Sequence, residues 1–181
     1  RDVIKVECDM VGPLDVRHIG LWLKALLGEP TSVGTGVVTH TFASGKPSLP
    51  SLTLETCLPD IPAWFVASGV MVNSLQVGFA RSGAANATVG LVAQGEVRRT
   101  ATLDDTPATR ELQRFNQFQG QILREGQALG NVVSAQLTYA NNLERIETIR
   151  SDGKIDGADP TVASLTGNLE VRFADTTLID A

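Results

Sequence analysis

Two periods of hydrophobic and polar positions run along the chain, and they change over at Gly28. Residues 2–8, DVIKVEC, read as a short strand that Gly12-Pro13 should end soon after Val11. Residues 15–27 then carry Val16, Ile19, Leu23, Leu26 and Leu27 at spacings of three and four, one apolar stripe that Trp22 widens. This predicts a helix, with Asp15 placed to accept its first backbone N–H groups. Gly28 is placed to end it and Pro30 to prevent its resumption.

Beyond Gly28 the period is two. Residues 37–42 read as a strand, and residues 51–56 put Leu52 and Leu54 on one face with Thr53 and Glu55 on the other. Residues 73–80 place Leu75, Val77 and Phe79 inward. A turn at residues 83–86 and a return over 87–93, with Val89 and Leu91, complete an antiparallel hairpin. A weaker strand covers residues 97–103. The rhythm breaks over residues 104–120, a polar stretch with Pro107 early, predicted as a long excursion with a short helix near 108–115. Strands return at residues 132–139, at 143–150 after the Asn141-Asn142 kink, and at 165–173. There Leu165, Gly167, Leu169, Val171 and Phe173 oppose Thr166, Asn168, Glu170 and Arg172. About eight to ten strands and one helix suit a mainly β fold, an antiparallel sandwich or barrel with the helix on its flank.

Composition narrows the class. A chain of 181 residues, 43% hydrophobic and 19% charged, fits one domain over residues 1–181 with a sizeable core. Twenty acidic residues against fifteen basic ones give a net charge of −5. Gripping nucleic acid requires clustered Lys and Arg, which this balance argues against; an acidic wall past which nucleic acid slides is compatible with it. No apolar run reaches the ~20 residues of a membrane span.

Candidate chemistry is sparse. The two histidines, His18 and His40, lack HxH or HExxH spacing, and Cys8 and Cys57 lack CxxC spacing. A disulfide between the two cysteines is left open. Residues 151–159 resemble a calcium loop, but Lys154 stands where an oxygen ligand is needed, and a hairpin turn at Asp152-Gly153 accounts for them better. Gly34-Thr35-Gly36 and Ser44-Gly45-Lys46 lack phosphate-loop spacing, and Asp104-Asp105 sits in a polar stretch where solvation is the default. Trp22 and Trp64 read as core anchors. No catalytic, cofactor-binding or metal residue is assigned, and an enzyme is the weakest reading.

Several stretches, taken in order, resemble the tail tube (major tail) proteins of bacteriophages and prophages. They are Gly12-Pro13-Leu14 with residues 17–30; His40-Thr41-Phe42 with residues 49–55; residues 69–77 with Val72-Asn73-Ser74-Leu75; and residues 137–144, then Asp152-Gly153, then residues 167–173 with Asp175. The resemblance spans most of the chain. Similar proteins carry further sequence before this strand and helix, so it implies a missing N-terminal portion.

The resemblance implies a self-assembling structural subunit, without cofactor, in rings of six tube domains. The rings stack into a conduit through which DNA passes without specific binding. It further implies tape measure and tail terminator proteins as partners, a place in the virion tail, and assembly in the host cytoplasm. On this reading residues 104–120 should be mobile in the free subunit and ordered on assembly, and Arg98-Arg99, Arg110 and Arg114 should serve contacts between subunits. Two alternatives remain: a secretion-system tube protein of the same fold, and a small-ligand-binding β-barrel or sandwich with a closed apolar pocket.

Overall fold

The computed structural model describes residues 3–58, 60–117, 120–129 and 132–172. In chain order its elements are β1 (Val6–Pro13), α1 (Ile19–Leu27), β2 (Thr31–Val33), β3 (Thr39–Thr41), β4 (Leu52–Leu58), β5 (Ala63–Phe79), β6 (Asn86–Ala93), β7 (Gly95–Arg99), β8 (Leu123–Arg124), β9 (Gln127–Ala128), β10 (Val132–Ala140), β11 (Glu144–Ile146), β12 (Gly157–Asp159) and β13 (Ser164–Val171). Phe173 and Asp175, expected at the close of the last strand, lie outside the described residues.

The 17-residue strand β5 organises the molecule. Its second half lies between β6 and β10 in the path β1-β6-β5-β10-β13, every pairing antiparallel. Its first half pairs with β4 on one side and β7 on the other, a three-stranded finger running out of the main sheet. The partners change near Gly69, whose φ of 61° is left-handed and where an added Cβ would fall 2.4 Å from Gln94 Oε1. A glycine is required there on both counts. The fold is mainly β and antiparallel with one short helix, as the sequence predicts, but among the described residues the sheet does not close: β1 and β13 end the path as its edges, so the barrel alternative is not realised.

The helix packs on one face of this sheet. Ala25 and Leu26 are buried against Val70, Val72, Val89, Leu91 and Ala93, with Met10, Trp22, Leu75 and Tyr139 at the margin. The predicted stripe is therefore shifted: Trp22, Ala25, Leu26 and Leu27 face the sheet, whereas Val16 is 48% exposed. The helix also begins later than expected, at Ile19. Asp15 instead holds the turn before it, accepting the N–H of Arg17 at 2.9 Å and of His18 at 3.1 Å.

Asn141 ties helix to sheet. It is buried, and its Nδ2 donates to the carbonyls of Leu26 at 2.8 Å and Val72 at 3.2 Å. The first is a helix C-terminal carbonyl with no intrahelical partner. The second flanks a bulge, where Asn73 is the extra residue between Val72 and Ser74.

Three further expectations change. β1 runs through Gly12-Pro13 because it is an edge strand, where a missing N–H costs no ladder bond on the open side. The strand expected over residues 37–42 is the short β3, paired with β2 in an exposed hairpin. No helix forms near 108–115. Residues 113–117 instead lie along the body: Val16 N–H donates to Gln113 O, Phe115 N–H to Leu14 O, Ala85 N–H to Phe115 O and Gln117 N–H to Gly83 O.

Candidate functional site

The register of the main sheet sorts its side chains into two unlike faces. On the helix side stand Met10, Val89, Leu75 and Tyr139, continuing through Val77, Phe79 and Leu137 to Leu165 and Leu169. On the other side stand Glu7, Asp9 and Val11 of β1; Asn86, Thr88 and Gly90 of β6; Ser74, Gln76 and Gly78 of β5; Ser134, Gln136 and Thr138 of β10; and Thr166, Asn168 and Glu170 of β13. No strand position on this second face is Lys or Arg. Its hydroxyls and amides are neutral and its strand charges are carboxylates, while Arg172 continues the β13 row one residue past the strand and Arg145 crosses to Glu7.

Local contacts shape that face. Gly90 lies beneath Ser74 and Asp9: a Cβ there would stand 2.4 Å from Ser74 Oγ and 3.4 Å from Asp9 Oδ1. Ser134 Oγ donates to Glu170 Oε2 at 2.8 Å across the β10–β13 pair. One end of the face is capped. Met71 and Val92 are buried under Ile155 and Ala158, and Arg145 reaches over to pair with Glu7. The cap is held by Arg150, whose guanidinium grips Asp152 at 3.0 Å through two nitrogens and Asp156 at 2.7 Å. The Arg150 hydrogen bonds, with the N–H of Lys154, hold the Asp152 carboxyl down at about 2. Two carboxylates of the calcium-like stretch are thus neutralised from within the chain. Among the described residues no three His, Cys, Asp or Glu side chains cluster as metal ligands.

The remaining candidates are scattered. His18 Nδ1 lies 2.6 Å from Asp15 Oδ1, and His40 Nδ1 lies 2.7 Å from Ser32 Oγ in the exposed β2–β3 hairpin. Cys8 on β1 and Cys57 on β4 are both free and exposed, so the disulfide that the sequence leaves open is not formed. Trp22 packs on the core, and Trp64 is half-buried on the finger opposite Cys57 and Arg99. Arg98, Arg99, Arg110 and Arg114 are exposed. An apolar cleft of about 210 Å³ lies beside β1 and the finger, lined by Leu54, Phe65, Ala67 and Leu91. It is smaller than the ~300–1,000 Å³ of small-molecule sites.

Asp15 is a second, buried node, 1% exposed. Besides Arg17, His18 and the His18 ring, it accepts the N–H of Gln113, so one carboxylate joins the turn before α1 to residues 113–117. Burial pushes its carboxyl up. The His18 bond and the three backbone N–H bonds outweigh that and hold it below the ordinary range. On the finger, Glu55 does a similar task, accepting from Thr102 Oγ1 at 2.6 Å and Leu103 N–H at 2.7 Å.

What the sequence reading missed is the extent of the polar face. Its signal was available as Ser, Thr, Asn and Gln at alternate positions in four strands, read only in the last. Among the described residues no helix is long and apolar enough to cross a membrane. The model of the family described as phage tail tube protein matches residues 1–181, the whole chain. No curated protein matches the chain.

Proposed function

The chain belongs to the phage tail tube protein family and is a structural component of a virion tail, and we propose that it builds a conduit for DNA by closing into stacked rings with its polar sheet face turned to the lumen. The observation that carries this reading is the two-sided sheet. One face buries a core under α1, while the other bears no Lys or Arg at any strand position and includes Asp9 and Glu170, with Glu7 paired to Arg145.

A conduit for DNA must not bind what passes through it. Each cation facing a phosphate would act as a brake that only salt releases. Neutral hydroxyls and amides with a few carboxylates give weak repulsion instead, which keeps DNA centred and mobile. The helix-side face, with its finger and hairpin, is then left for contacts outward and along the axis. Ring closure uses the open edges, since unpaired strand edges are templates for another chain.

On this reading six tube domains close a ring, tape measure and tail terminator proteins set the tube's length and end, and no cofactor or chemical step is involved. Assembly takes place in the host cytoplasm. Electron microscopy of the purified protein should show rings or tubes; a population of featureless monomers at every concentration would overturn the reading. Assembled tubes should bind duplex DNA more weakly than about 1 μM at physiological salt. Tighter binding with a steep loss on adding salt would mean that the lumen grips phosphates.

A further inference from the structure

Resting on the ring reading above, we propose that neighbouring copies join their sheets in the parallel sense, β13 of one copy against β1 of the next, although every pairing in the subunit's main sheet is antiparallel. The inference follows from parity. The path β1-β6-β5-β10-β13 has five strands, each antiparallel to its neighbour, so its two edge strands run in the same direction. Rotation about a ring axis carries β1 into the next copy without reversing it. The joint between β13 and that β1 is therefore parallel. A twofold dimer would do the opposite, pairing β1 with β1 or β13 with β13 in the antiparallel sense.

Three features suit the ring joint. Both edges are eight residues long, so they match end to end. The faces also match. With the helix-side row Val6, Cys8 and Met10 beside Leu165, Gly167 and Leu169, the other row puts Glu7, Asp9 and Val11 beside Thr166, Asn168 and Glu170. A slip of one residue would set Leu165 beside Glu7 and Gly167 beside Asp9, bringing the apolar row of one strand against the polar row of the other. Finally, Leu165 is 65% exposed, Leu169 47% and Leu137 45%, although all three continue the row that is buried further along the same face. A parallel ladder is slightly weaker per residue than an antiparallel one. Covering this apolar strip supplies the joint with the burial it needs.

Engineered disulfides test the sense of the joint. In a Cys8→Ser, Cys57→Ser background, Gly12→Cys is combined with Val171→Cys in one variant and with Leu165→Cys in another. A side chain at Gly12 meets no atom within 4 Å. Positions 165 and 171 lie about 20 Å apart along the strand, so a disulfide, needing Cα atoms about 4.4–6.8 Å apart, can form at one only. Tubes of the first variant, oxidised mildly and run without reductant, should give a ladder of cross-linked copies; the second should run as monomer. A ladder in the second alone, or in neither while microscopy shows tubes, overturns the parallel joint and leaves the tube reading standing. Failure of the unmodified chain to form rings overturns the tube reading itself, and this inference with it. A separate variant, Leu165→Asp with Leu169→Asp, alters side chains already exposed in the subunit. It should keep the parent's circular dichroism and lose assembly; assembly at the parent's concentration would exclude this strip from the joint.

Discussion

Replacing Asn141 should separate the helix from the sheet more sharply than its size suggests. Its Nδ2 donates at 2.8 Å to Leu26 O and at 3.2 Å to Val72 O, and the residue is 4% exposed. Leu26 and Val72 are themselves buried, so water has little access to either carbonyl once the amide is gone. A buried acceptor left unpaired costs about 1–3 kcal/mol. Counting the longer bond toward the low end, Asn141→Ala should destabilise the subunit by about 2–4 kcal/mol. At ~2–4 °C per kcal/mol for a domain of this size, the midpoint should fall by about 4–16 °C.

Asn141→Asp adds a check on sign. A carboxylate would face two carbonyl oxygens, whereas the neutral acid can still donate one hydrogen bond. The folded pKa of the new carboxyl should therefore lie above its unfolded value of about 3.9. Stability relative to the parent should be highest below that value and fall as pH rises through the folded pKa, until the variant is less stable than Asn141→Ala at pH 7. Urea unfolding of the free subunit across pH measures both differences. A cost within about 0.5 kcal/mol for Ala, or a pH-independent difference for Asp, would refute the argument that these two bonds are buried and necessary.

Leu26→Ala should cost about 2–5 kcal/mol by denaturant unfolding, whereas Leu21→Ala, at a position 54% exposed, should stay within about 0.5 kcal/mol. The depressed Asp15 carboxyl contributes stability that is present above the unfolded value of about 3.9 and lost as pH falls through the folded one. Asp15→Ala should remove that part of the acid-side slope and speed hydrogen exchange at the N–H groups of Gln113 and Phe115. In the parent those amides should exchange more slowly than residues 104–112, which makes the excursion mobile in only part of its length. Arg150→Ala should raise the Asp152 carboxyl from about 2 toward the ordinary range, followed by carboxyl NMR.

Strands with an alternating pattern were legible in the sequence, and those without one were not. Alternation marked β4, β6, β10 and β13 to within a few residues. The first half of β5 escaped because AWFVASGVMV is apolar almost throughout, although most of its finger residues are only half-buried, and such a run has no period of two to read. The helix was found by its apolar spacing, but its start was misplaced because Asp15 spends its carboxylate on the preceding turn and on Gln113, a partner 98 residues away. β13 gives a different lesson. Its alternation correctly sorts the faces, yet Leu165 and Leu169 are exposed in the subunit. An apolar row says that a face is suited to being covered, not which chain covers it. The polar face was harder still, since it exists only after four antiparallel registers place separate short patterns side by side.

The length of β5 has a mechanical consequence. Seventeen residues of extended chain span about 56 Å, and they belong to the finger at one end and to the main sheet at the other. Force applied at Ala63 therefore reaches Phe79 through covalent bonds, with no interdomain joint to yield first. β4 and β7 clamp one half while β6 and β10 clamp the other. A lengthwise pull loads these ladders in shear, so their hydrogen bonds must fail together and not one after another. Gly69, left-handed at φ 61°, sits where the spar changes partners, with the Gln94 side chain packed against it. The finger is thus braced like a cantilever, and a push on its tip is delivered to the body as a thrust along one strand.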